Sequence, residues 1–142
     1  MPSLVTLAYE SCPAGRAGVA LLAFRVFVGV AFILHGLGRL NDLKGFAATY
    51  HISWGAALAA KLTMLIGGPF LIVGFLTPIA GLGIAGTMVV AGQILIRKGE
   101  RFINPTGHSW EGCAFYVLAG VVIALLGPGF YSIDALLFGG RL

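Results

Sequence analysis

Four stretches of this chain, at about 17–40, 56–77, 78–96 and 112–126, are long and apolar, with very few charges among them. In a helix, about 20 such residues cover the ~30 Å hydrocarbon core of a bilayer. A backbone in lipid must satisfy its own N–H and C=O groups, which leaves only helices and closed barrels. A barrel would need alternating segments of roughly ten residues, and the sequence has none. The chain is therefore read as all-α: an integral membrane four-helix bundle with a short C-terminal interfacial helix, forming a single transmembrane domain over 1–142. Charged residues make up only 10% of the chain, whereas a soluble domain carries about a quarter. A formal net charge of +4 and two cysteines give no basis for disorder, nucleic-acid binding or a disulfide scaffold.

The connections set the topology. The second and third segments meet at Thr77-Pro78, which predicts a tight antiparallel hairpin with Pro78 in a first helical turn. Pro69, after Gly67-Gly68, predicts a kink in the second span. Gly127-Pro128-Gly129 stops the fourth span, after which Ser132 or Asp134 caps a helix reaching Leu137. With four spans, both termini and the Thr77-Pro78 turn share one side, which carries Arg16 and Arg141. The loops at 41–55 and 97–111 define the other, with Arg39, Lys44, Arg97, Lys98 and Arg101 at or in them. The positive-inside rule puts that richer side in the cytoplasm and both termini outside. The expected location is the inner membrane of a bacterial or archaeal cell. The first apolar run is too long for a cleavable signal and holds Arg25, so it is read as a retained span.

Ionisable residues within spans are expensive and default to functional candidates. Here they are Arg25, His35 and Lys61, with Gln93 as a neutral companion. Arg25 and His35 lie about 15 Å apart along one helix and serve different depths. The loop side of the bundle collects His35, Arg39, Lys61, Gln93, Arg97, His108 and Glu111. Polar groups converging at the end of an apolar bundle suit the head of a quinone-like ligand. In that reading His35 donates to a carbonyl, Glu111 exchanges a proton, and Gln93 and Arg39 complete the site.

Each residue also has a structural reading. Arg39, Lys61 and Arg97 sit where long basic side chains snorkel to headgroups. His35 suits an interhelical hydrogen bond, and Glu111 an acid favoured by the helix dipole. Arg25 is read as structural, paired with Asp134 so as to clamp the first helix to the C-terminal segment. Cys12 and Cys113 fall on opposite sides of the membrane and cannot pair. No spacing of His, Cys or acids suggests a metal site or bis-histidine haem. Gly29 and Gly81-x-x-x-Ala85 are read as positions of close helix packing.

The stretch Arg25-Val-Phe-Val-Gly-Val-Ala-Phe-Ile-Leu-His35-Gly-Leu-Gly-Arg39-Leu resembles the first-helix signature of the DoxX family. Gly67-Gly68-Pro-Phe-Leu-Ile-Val-Gly74-Phe-Leu-Thr77 resembles its second-helix ending. Glu111 followed by Leu-Leu-Gly127-Pro128-Gly129-Phe-Tyr-Ser132-Ile-Asp134 resembles its fourth-helix start and C-terminal motif. The likeness spans about 17–137. It implies a small four-helix membrane protein, linked to the membrane subunit of thiosulfate:quinone oxidoreductase and partnered by redox proteins. Relatives often carry a glutamate just before the Leu-x-Gly-Gly of helix two, where this chain has Met64.

Two functions follow as expectations. One is a quinone-linked subunit of a membrane oxidoreductase, with quinone as the ligand, no covalent cofactor, and electrons supplied by a partner. The other is a non-catalytic accessory subunit packed against larger membrane proteins. A carrier ranks last, because the midplane offers few polar groups.

Overall fold

The computed structural model describes residues 14–37, 43–105 and 109–138. Within them the secondary structure is entirely helical: α1 (Gly15–Leu37), α2 (Leu43–Tyr50), α3 (Trp54–Val73), α4 (Thr77–Arg97), α5 (Glu111–Leu126) and α6 (Ile133–Phe138). Helices α1, α3 and α4 are each long and apolar enough to cross a membrane, and α5 is a shorter apolar helix of 16 residues. Their outward faces are as apolar as their interior. Phe27, Leu34, Ile66, Ile79, Leu82, Leu118 and Leu125 are all exposed, an arrangement suited to lipid and costly in water. The protein is a multi-pass integral membrane protein.

Local sequence explains the ends. Ser53 caps α3, its hydroxyl accepting the Ala56 N–H at 3.2 Å. Helix α3 runs unbroken through Pro69 and stops at Gly74, whose φ of +70° is the left-handed cap that favours glycine. Pro78 follows in the first turn of α4. Gly127 and Gly129, both at positive φ, end α5 and lead into α6. Among the described residues, the helix that falls in an expected loop is α2, packed against α3.

The bundle is two tight helix pairs. Helix α1 packs chiefly on α3 and α4 chiefly on α5, with the α3–α4 hairpin joining them less closely. Both pairs cross at glycines. A Cβ on Gly29 would come within 2.7 Å of the Gly68 carbonyl oxygen, and one on Gly81 within 2.7 Å of the Gly120 carbonyl oxygen. The backbones therefore touch, as small residues permit in membrane helices. The same number of residues separates Gly29 from Gly68 as separates Gly81 from Gly120. The two close approaches thus share one sequence separation. Between the pairs lies the core, built on Phe32, Met64, Leu71, Ile84, Met88 and Ile123.

Candidate functional site

Two polar clusters lie at opposite ends of the bundle. The first surrounds Arg25 and Asp134, both fully buried. Arg25 lies near the middle of α1, at the level where α3 turns into α4. One of its terminal nitrogens, Nη1, presses on Gly74, where any side chain would overlap it and Ser132. Nη2 donates to the Tyr131 carbonyl at 2.6 Å. The two oxygens of Asp134 accept the backbone N–H groups of Leu76 and Thr77, each at 2.8 Å, and the Asp134 N–H donates to the Gly74 carbonyl at 2.9 Å. Asp134 thus caps α4 from a distance in sequence, satisfying N–H groups that a helix start leaves open. Its charge also acts on the guanidinium. Among the described residues, backbone groups of the turn and the C-terminal segment take the hydrogen bonds of both. The cap of α6 itself is Ser132, whose hydroxyl accepts from the Ala135 N–H at 3.0 Å and donates to the Gly129 carbonyl at 2.8 Å.

The second cluster is a cavity of about 450 Å³ among α1, α3, α4 and α5. His35 lines it from α1, Lys61, Thr63 and Met64 from α3, Thr87 and Met88 from α4, and Cys113 and Tyr116 from α5. His35 and Tyr116 face each other with ring centroids 6.2 Å apart, and Tyr116 packs on Phe32 at 5.6 Å. Cys113 and Tyr116 share a face of α5 because they are three residues apart. Lys61 is only 3% exposed, so its stem is packed among the helices. Thr63 and Thr87 add little polarity: their hydroxyls donate to the carbonyls of Ala59 and Gly83 one turn back, at 2.9 and 2.8 Å. The cavity therefore has apolar walls and a cluster of groups able to donate hydrogen bonds, namely His35, Lys61, Cys113 and Tyr116. Its volume falls in the range of ligand pockets.

The residues expected from sequence are distributed unevenly. His35 and Lys61 line the cavity. Glu111 is the first residue of α5 and half-buried, adjacent in sequence to the lining residue Gly112, and its backbone N–H donates to the Phe102 carbonyl at 3.2 Å. Gln93 is exposed on α4 and Arg97 exposed at its end, neither forming part of the lining. Arg39 and His108 lie outside the described residues, as do Cys12 and Arg141. Sequence reading missed Tyr116 and Cys113 as lining groups. The available signal was their three-residue spacing at the depth of His35.

Comparison with known proteins gives a consistent placement. The DoxX family model matches residues 20–97, more than half of the chain. The protein named "Putative oxidoreductase CatD" from Bacillus subtilis (strain 168) is 25% identical over 126 residues, covering 87% of this chain and 90% of that relative. No solved structure gives a significant match. With the ordered motifs around Arg25, Gly67-Gly68 and Gly127-Pro128-Gly129, carried on four apolar helices, the chain belongs to the DoxX family.

Proposed function

We propose that this protein is the quinone-binding membrane subunit of an oxidoreductase, with the His35 cavity as the site of the quinone head. The observation that carries the reading is the cavity: apolar walls around a small set of donors. A quinone ring offers two carbonyl oxygens, which accept hydrogen bonds but donate none. His35, Tyr116 and Lys61 supply the complementary N–H and O–H groups. A relative named as an oxidoreductase supports the class of chemistry.

The chain supplies the site and a partner protein supplies the electrons. Reduction takes two electrons from that donor and two protons, forming an O–H at each carbonyl. Glu111, at the start of α5 beside the cavity, passes protons from the loop side. The excess of basic residues in the loops supports a cytoplasmic position for that end, within reach of a soluble donor, with both termini outside. The membrane is the inner membrane of a bacterial or archaeal cell.

The test is retention of quinone. Protein purified in mild detergent should carry quinone extractable by organic solvent, and added quinone should raise its thermal midpoint. His35→Ala should weaken both effects. A wild-type protein that neither retains quinone nor responds to it would favour the accessory-subunit reading instead.

A further inference from the structure

The cavity has an opening on the membrane side. Helices α3 and α4 touch about midway along α3, where a Cβ on Gly83 would meet Thr63 Cγ2 at 3.4 Å. One turn further toward the loops Gly86 is exposed and lines the cavity, and a Cβ on it would meet nothing within 4 Å. Residues that line the cavity and are also exposed mark its mouths. Four of them, Ala56, Ala59, Gly86 and Val90, are small or apolar and lie on the facing sides of α3 and α4. The others, His35 and Gly112, lie at the loop end. Since α3 and α4 are membrane spans, the cleft between them opens onto acyl chains rather than water. Its walls lack free polar groups, because Thr63 and Thr87 turn their hydroxyls back to their own helices.

We infer that the cleft between α3 and α4 is a lateral portal for a lipid-tailed quinone, whose isoprenoid tail lies between Ala59 and Gly86 while its head rests near His35 and Tyr116. This rests on the quinone reading above and adds to it the side of the bundle by which the ligand enters. A tail left in the cleft stays in contact with lipid, so only the head loses its surroundings on binding. The polar end and the apolar corridor match the two ends of such an amphiphile.

Cys113, inside the cavity, is a native reporter. In a Cys12→Ser background reconstituted in lipid nanodiscs, labelling of Cys113 by N-ethylmaleimide is followed with two ligands. One is ubiquinone with a full isoprenoid tail, the other duroquinone, a fully methylated head with no tail. Each should slow labelling of the otherwise unmodified protein about tenfold at roughly ten times its Kd. Gly86→Phe projects a ring into open space, so the fold should persist, and it should abolish protection by ubiquinone while leaving that by duroquinone. Ala59→Leu, on the facing wall, should act in the same direction, and Leu82→Ala, exposed on α4 and outside the lining, should behave as wild type. Protection by both ligands surviving in Gly86→Phe and Ala59→Leu would overturn the portal and leave the quinone site standing. Loss of both ligands in both variants would also overturn it, because those walls would then shape the head pocket. Wild-type protein protected by neither ligand would remove the quinone reading and the portal with it.

Discussion

Asp134, in the last helix of the chain, holds the backbone N–H of Thr77 at 2.8 Å and so caps a helix that begins more than fifty residues earlier. Both partners are fully buried. Asp134→Ala would strip the cap from Leu76 and Thr77 and leave the Arg25 guanidinium without a nearby negative charge. Removing one side of a buried charge pair costs about 3–5 kcal/mol. Thermal stability in detergent should fall steeply, and Asp134→Asn, which keeps one acceptor oxygen, should fall less.

The relation of Arg25 to Asp134 is measurable by a double-mutant cycle with Arg25→Met and Asp134→Asn. The two charges act on each other directly, and both tie the same turn and C-terminal segment together, so their losses should not add. A coupling of about 0.5–3 kcal/mol is typical of residues in one network. Strictly additive losses would show that the two ends of this network are independent.

The glycines of α4 and α5 give a contrast between two neighbouring helices. On Gly120, a Cβ would lie 2.5 Å from the Gly81 carbonyl oxygen and 3.0 Å from the Ala85 nitrogen, so backbone must move. Gly120→Ala should cost about 1–3 kcal/mol, the usual range for overpacking. Gly86→Ala, in open space on α4, should be neutral or stabilise by up to about 1 kcal/mol through helix propensity. Unfolding in detergent micelles distinguishes them; equal effects would contradict the close α4–α5 crossing.

At the cavity, Lys61→Met removes a buried ammonium and Tyr116→Phe a single hydroxyl. Loss of a hydrogen bond to a charged donor is worth about 1.5–3 kcal/mol, and of a neutral one about 0.5–1.5 kcal/mol. Quinone affinity should therefore weaken more in Lys61→Met. Gln93→Ala, exposed and away from the lining, should leave affinity unchanged. Titration of the thermal shift with quinone reads all three.

The four spans were legible because lipid imposes a single demand, apolar length, that the sequence states directly. Expected bounds of 17–40, 56–77, 78–96 and 112–126 compare with Gly15–Leu37, Trp54–Val73, Thr77–Arg97 and Glu111–Leu126. Helix α2 escaped notice because eight residues in a polar loop carry no such length signal. Gly29 and Gly81 stood out as packing glycines, yet Gly68 and Gly120 as their partners depend on how far one helix slides along another. The location of Arg25 and Asp134 at one end was readable from topology. Their use of the Tyr131 carbonyl and the Leu76 and Thr77 N–H groups was not, because backbone groups leave no mark in a sequence. Tyr116 and Cys113 were hidden for the opposite reason: on an apolar helix they look like ordinary filling until a neighbour's depth is known.

The lock formed by α6 carries a consequence for biogenesis. Translation proceeds from the N-terminus, so α1, α3 and α4 are synthesised before Tyr131, Ser132 and Asp134 exist. Until those residues arrive, the start of α4 lacks its distant acceptor and Arg25 lacks its carbonyl partner. The last stretch of the polypeptide thus serves as a completion signal: a prematurely terminated chain would insert its helices yet remain open at one end, exposing a buried cation to the quality-control proteases of the membrane.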